Sequence, residues 1–280
     1  MDTVSSPPIA PSISPAEFAA RLARADAPLV LDLRRDERFC EAGRIAPRAQ
    51  RCAPQDVQRF AQQQTPREVI VYCVHGLEVG AQAAAELRAG GWDARFLEGG
   101  VEALVDAGLP TLKKRPDLGV TGEKPSRWIT RARPKIDRIA CPWLVRRFID
   151  PRAEFFYVPA DQVFAEAKRL QAVAYDISRA PIEHSGERCS FDTLMAAFDL
   201  HSPALDTLAR IVRGADTDRP DLAAQASGLL AVSLGMSALL ADDLAMLEAM
   251  MPVYDALYAW CAVARAETHT WKPDAMKAAA

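Results

Sequence analysis

Short apolar runs alternate with helical stretches along the first part of the chain. Pro28 to Leu33 (PLVLDL) predicts a buried strand, and Glu68 to Cys73 (EVIVYC) a second one rich in β-branched residues. Gly80 to Ala89 (GAQAAAELRA) is alanine-rich and predicts a helix, stopped by Gly90-Gly91. Arg95 to Leu97 predicts a short third strand. Strand, helix and strand in that order imply a parallel sheet with helices on its faces.

The pattern then changes. Leu112 to Pro125 (LKKRPDLGVTGEKP) has no apolar period and is broken by Pro and Gly, which predicts a flexible linker. Beyond it, Ile139 to Phe148 predicts a helix ended by Pro151, and Glu154 to Val158 a strand. Asp161 to Gln171 predicts a helix with Asp161 near its N-cap, and Ser190 to Phe198 another capped by Ser190. Ala204 to Arg213, Asp221 to Leu240 and Leu244 to Ala266 follow as helices, the last with a kink or break at Pro252. The expected architecture is an α/β domain over 12–111, a linker over 112–126, and a mainly α-helical domain over 127–266.

The chain length of 280 residues suits two domains, at roughly 100–200 residues each. Apolar residues make up 50 % and charged residues 25 %, which is ordinary globular composition. A net charge of −3 gives no global basic field for nucleic acid or an anionic membrane. No apolar run reaches the roughly 18 residues of a membrane span. Met1 to Pro15 lacks the basic and apolar regions of a secretory signal and is Ser/Pro-rich, so disorder and a cytoplasmic location are expected. Cys40, Cys52, Cys73, Cys141, Cys189 and Cys261 are scattered with no Cys-x-x-Cys pair, which predicts free thiols.

The main chemical signal is Cys73-Val74-His75-Gly76-Leu77-Glu78-Val79, between a buried strand and a helix. At such a junction the loop amides and the helix N-terminus converge on the first loop residue and stabilise an anion there. A thiolate, a persulfide or a bound oxyanion fits that cradle, which makes Cys73 a candidate nucleophile and Val74 to Val79 its substrate-binding loop. Gly76 permits a turn that other residues resist. The junction alone leaves a second reading open, in which Cys73 is a small apolar residue at a strand end.

This stretch resembles the rhodanese (sulfurtransferase) family. Leu29-Val-Leu-Asp32-Leu-Arg34, followed by Gly43-Arg-Ile-Ala46, is similar to the family's first strand and its Asp-x-Arg ending. Cys73 falls at the family's catalytic position and Gly76 at its loop glycine. Leu97 to Pro110 (LEGGVEALVDAGLP) is similar to its closing segment. The resemblance implies a rhodanese-like α/β fold and persulfide chemistry on Cys73, with no cofactor required. Glu78 stands where the family often carries Arg or Lys, and Val79 where it often carries Ser or Thr. A carboxylate at the loop mouth opposes anionic donors such as thiosulfate. The expected partners are therefore a small oxyanion or sulfur donor, such as a persulfide, and a thiol acceptor.

In the second half, Arg127 to Arg147 is strongly cationic inside an acidic protein. Arg131, Lys135 and Arg138 are candidate ligands for an oxyanion. Trp128 and Trp143 leave contact with nucleic acid open, and a solvated helix face with its Trp in the core is the third reading. Glu183 to Asp192 and Gly214 to Asp218 bring His, Cys and carboxylates into loops. A metal ion on His184 and Asp216, acid–base chemistry, and helix capping by Asp216 and Asp218 all remain open, because the spacing matches no standard zinc template.

The region from Arg127 to Cys261 also resembles the C-terminal domain of the chromate-resistance protein B family. The matching pieces include Arg133 to Trp143 (RPKIDRIACPW), Arg147 to Asp150, Tyr157 to Pro159, Cys189 to Asp192, Ile211 to Asp218 and Tyr254 to Cys261. That resemblance implies involvement in chromate resistance, with regulator or sensor roles described for members. With a rhodanese-like half in place of a separate DNA-binding segment, nucleic acid and membrane are not expected partners. Two functions are weighed: a sulfurtransferase acting in chromate or oxyanion detoxification, and a non-catalytic chromate or oxyanion sensor with a metal in the second domain.

Overall fold

In a computed structural model that describes residues 11–22, 26–76 and 78–267, alternation along the predicted strands has a direct consequence. Strands β1 (Ser12–Ile13), β2 (Leu29–Asp32), β4 (Ala49–Arg51), β5 (Glu68–Tyr72) and β6 (Asp93–Leu97) form one parallel sheet in the order β1-β6-β5-β2-β4. Leu31 is in register with Val71, and Val71 with Phe96. Successive side chains leave opposite faces of a strand. Leu29, Leu31, Leu33, Val69 and Val71 therefore pack on one face with Val57, Ala84 and Leu87. Val30, Ile70 and Tyr72 enter the other core. A parallel sheet covered on both faces needs such continuous apolar strands.

Helices α1 (Pro15–Leu22), α2 (Asp36–Glu41), α3 (Val57–Gln63), α4 (Glu78–Ala89) and α5 (Gly100–Asp106) complete this unit. Strand β3 (Arg44–Ile45) pairs antiparallel with β7 (Leu112–Lys113). The disorder expected over Met1–Pro15 stops short of Ser12, which begins β1; residues 1–10 lie outside the described residues.

The expected flexible linker over 112–126 is folded instead. Leu112, Leu118 and Val120 are buried in the same core as Trp128 and Trp143. The Lys114 amide donates to the Gly43 carbonyl at 2.8 Å, and Arg115 Nη1 to the Ala197 carbonyl at 2.9 Å. Three apolar residues spread through a polar segment are enough to bind it to both halves. The halves also meet directly: Arg48 Nη1 donates to the carbonyls of Arg146 and Arg147 at 3.2 and 2.9 Å, and Arg44 pairs with Asp199 at 2.7 Å.

The second half is mainly helical around a small parallel sheet. Strands β8 (Arg127–Arg131), β9 (Glu154–Val158) and β10 (Val173–Ala174) run in the order β10-β8-β9. Helices α6 (Asp137–Leu144), α7 (Val163–Leu170), α8 (Ser190–Phe198), α9 (Pro203–Asp216), α10 (Ala226–Leu239) and α11 (Asp243–Ala259) follow. The start of the basic run is thus a strand, not a helix face. Trp128 and Trp143 are buried, so neither is offered to a nucleic-acid base. Helix α11 passes through Pro252 without a break, because its buried side, from Met246 to Tyr254, is anchored in the core. Ser190 does not cap α8; Cys189 holds that place, and its amide donates to Asp192 at 3.1 Å. No helix among the described residues is long and apolar enough to cross a membrane.

Candidate functional site

Two polar constellations stand out, one at the end of β5 and one between α6, α8 and α9.

Cys73 follows the last residue of β5 and lines a cavity of about 640 Å³ with Arg34, Arg35, Arg38, His75, Glu78 and Val79. The loop beneath it is pinned from below. The amides of Val101 and Glu102, at the start of α5, donate to the carbonyls of Cys73 and Val74 at 3.0 and 3.3 Å. Gly76 sits at φ +63°, a conformation other residues resist. Among the described residues, the amides of Val74, His75 and Gly76 donate to no backbone carbonyl. Gly80, on the inner face of α4, leaves room at the thiol: a Cβ there would come within 3.9 Å of Cys73 Sγ.

The charges around this cavity are unequal in freedom. Arg34 is committed to Asp32 through Nε and Nη2, at 2.9 and 2.5 Å, and Asp32 also accepts the Tyr72 hydroxyl at 2.7 Å. His75 Nδ1 lies 2.9 Å from Glu102 Oε2, so the ring is engaged by a carboxylate of the neighbouring helix α5. Arg38 pairs with Glu41 at 3.4 Å. Arg35 forms no ion pair among the described residues and is the free cation at the mouth. Glu78 occupies the first turn of α4, where a carboxylate complements the helix dipole.

The second constellation centres on the His184 ring. Its Nε2 lies 3.1 Å from Asp216 Oδ2, 3.4 Å from Asp176 Oδ1 and 3.5 Å from Asp137 Oδ2. Asp137 opens α6, Asp216 ends α9, and Asp176 follows β10. Asp137 is fully buried; its Oδ2 accepts the amides of Ser190 and Phe191 at 2.5 and 3.3 Å. Asp176 accepts the Ser190 hydroxyl at 2.8 Å and faces Arg131 and Arg138 at 3.5 and 3.4 Å.

Burial together with the neighbouring carboxylates pushes Asp216 up to about 7, and burial raises Asp137. Contacts with Asp137 and Asp176 lift His184 to about 10. Burial lowers Arg138, and the nearby Arg131 adds to the effect. Cys141 and Cys189 are pushed up by burial and by the same acidic neighbours, which fits structural thiols.

Residues 14–107 match the family model for the Rhodanese-like domain, and residues 128–261 match that for the ChrB C-terminal domain. The chain joins a rhodanese-like domain to a ChrB C-terminal domain. Protein ChrB of Cupriavidus metallidurans is 33 % identical over 188 residues, covering 64 % of this chain and 53 % of that protein. The chain thus spans about half the length of that curated relative. Thiosulfate sulfurtransferase from Pseudomonas aeruginosa aligns at 30 % identity and a TM-score of 0.33, over 38 % of this chain and 20 % of that one. A rhodanese-like domain protein from Staphylococcus aureus aligns at 26 % identity and a TM-score of 0.32, over 36 % and 96 %.

In the rhodanese-like domain, Cys73, Val74, His75, Glu78 and Val79 line one cavity, with Gly76 shaping the turn. Leu77 lies outside the described residues. In the ChrB C-terminal domain, His184 and Asp216 do meet, and Arg131 and Arg138 reach the same cluster through Asp176. Lys135 is half-buried and makes no side-chain hydrogen bond or ion pair among the described residues.

Sequence reasoning missed Arg35 and Arg38 beside the thiol, and Asp137 and Asp176 beside His184. Arg35 lies directly after the Asp-x-Arg ending of β2, which was a usable signal. Asp137 and Asp176 sit in unrelated segments, and only the fold joins them.

Proposed function

We propose that the rhodanese-like domain is a sulfurtransferase that carries sulfur on Cys73, and that the two domains act together in chromate or oxyanion detoxification. The observation that carries this reading is the position of Cys73. Its side chain ends a buried strand, lines an open cavity, and is followed by three amides that no backbone carbonyl takes among the described residues. Unclaimed amides beside a thiol support its reading as an anion cradle around a nucleophile.

The chemistry is thiol–persulfide exchange. The Cys73 thiolate attacks the outer sulfur of a donor persulfide. The donor's S–S bond breaks, its thiolate leaves, and a new S–S bond forms on Cys73. An acceptor thiolate then takes that sulfur and releases the Cys73 thiolate, so the cycle needs no added oxidant or reductant. Glu78 disfavours a dianionic donor, while Arg35 gives a persulfide one cationic neighbour. The test treats the reduced full-length protein with a low-molecular-weight persulfide and follows intact mass. Wild type and Cys261→Ser gain one sulfur, and Cys73→Ser gains none. Equal loss in both variants removes the assignment.

A second reading, an oxyanion-binding module without turnover, is favoured by one observation. The Nε atoms of Arg131 and Arg138 are buried and donate no hydrogen bond, Arg138 Nε meeting Asp176 Oδ2 only as an ion pair at 3.4 Å. Chromate binding that survives Cys73→Ser and is lost in the Arg131→Ala, Arg138→Ala double variant supports it.

A further inference from the structure

We propose that Asp137, His184 and Asp216 form a binding site for one divalent first-row transition cation in the ChrB C-terminal domain. The site is separate from the thiol loop and does not depend on sulfur transfer.

The spacing of the three residues suits a cation. Metal bonds of about 2.1 Å place neighbouring ligand atoms roughly 3.0–3.5 Å apart. His184 Nε2 lies 3.1 Å from Asp216 Oδ2, and the Asp137 carboxylate comes within 3.5 Å of it at Oδ2, the oxygen that also accepts the Ser190 and Phe191 amides. One ligand atom from each of the three residues lies within 4.8 Å of the others. They arrive from the start of α6, a loop before α8, and the end of α9, so no local sequence element forces them together.

Asp137 also carries an unmet lone pair. Asp137 is 0 % exposed, and its Oδ1 accepts no hydrogen bond. Its Oδ2 is taken by the Ser190 and Phe191 amides, which fixes the carboxylate against the cluster. A buried carboxylate oxygen without a donor is costly, and a cation beside it removes that cost.

The remaining charges around the cluster are already used. Asp176 is committed to the Ser190 hydroxyl and faces Arg131 and Arg138, so it positions the cluster without needing the cation. Asp137 and Asp216 have no Arg or Lys partner among the described residues, which leaves two carboxylates and one imidazole for the ion. That mixed N and O set suits Mn²⁺, Fe²⁺ or Zn²⁺ better than Mg²⁺ or Ca²⁺. His184 is 45 % exposed on its side chain, which gives an ion a route from solvent.

The test uses chelator-stripped full-length protein and Mn²⁺ alone as probe, read by electron paramagnetic resonance and by the rise in melting temperature. Wild type takes up about one Mn²⁺ per chain, and Zn²⁺ displaces it, as the order of affinities requires. Asp216→Asn and His184→Gln each weaken Mn²⁺ at least about tenfold, a size seen even for supporting residues of metal sites. Asp161→Asn, on the surface, leaves binding unchanged. Circular dichroism confirms that each variant is folded, and the Mn²⁺-dependent rise is compared with the melting point without metal. A His184→Gln variant that is less stable yet keeps the full Mn²⁺-dependent rise marks the cluster as an ion network only and overturns the proposal. Folded wild type that binds neither Mn²⁺ nor Zn²⁺ overturns it as well.

Discussion

Gly76 and Gly100 close against each other beneath the thiol loop: a Cβ on Gly76 would stand 2.6 Å from the Gly100 nitrogen, and one on Gly100 only 2.2 Å from the Val74 carbonyl oxygen. Both glycines have φ of +63°. The loop that carries Cys73 is thus held by backbone meeting backbone, where no side chain fits. Gly100→Ala meets the left-handed backbone cost of about 1–2 kcal/mol and then a clash that only movement of the loop relieves. The expected result is a lower melting temperature with a changed rate of Cys73 alkylation by iodoacetamide. Wild-type values for both would show that the interlock is not needed.

Donor choice should follow the charge at the cavity mouth. Glu78→Lys exchanges a carboxylate for an ammonium in the first turn of α4. An increase of about tenfold in kcat/KM for thiosulfate corresponds to about 1.4 kcal/mol, a modest demand on a charge reversal beside an anion. Arg35→Ala should move the same constant down. Steady-state sulfur transfer to a thiol acceptor measures both, and a flat response to Glu78→Lys would mean that the mouth charge does not select the donor.

The segment joining the domains should behave as core. Leu118 is 1 % exposed and belongs to the cluster shared by both halves. Leu118→Ala should cost about 2–5 kcal/mol, read as a clear fall in the denaturant midpoint. A tethering linker would tolerate the change without loss.

Asp255 supplies a pH dependence. Its burial raises its pKa, but hydrogen bonds from Arg147 and Trp143 outweigh that and hold it below its ordinary value of 3.8. A carboxylate lowered in the folded state stabilises fully above its unfolded pKa, and that contribution is lost as pH falls through the folded value. Asp255→Asn should therefore melt below wild type by a constant margin from pH 5 to pH 8, on the order of the 2 kcal/mol of a charged hydrogen bond. The margin should shrink below about pH 4. A margin that stays constant to pH 3 would remove Asp255 from the acid response.

The two domains differ in how legible their sites were. In the rhodanese-like domain the thiol and its loop are contiguous, so Cys73 to Val79 could be read from one strand–loop–helix junction. The ChrB C-terminal domain offered His184 and Asp216 as isolated residues, and no pattern in the sequence singled out their partners Asp137 and Asp176.

The sequence by itself determined four of the strands (β2, β5, β6 and β9), most of the helices, the parallel arrangement of the first sheet and the place of the candidate nucleophile. Those features depend on apolar periodicity and turn chemistry, which act over a few residues. Only the tertiary structure decided that 112–126 is packed rather than loose, that His75 sits against Glu102, and that three aspartates surround one histidine. These depend on contacts between residues far apart in the chain, such as Asp137 with Asp216, and on burial, which strips water from charged groups and makes each neighbour matter.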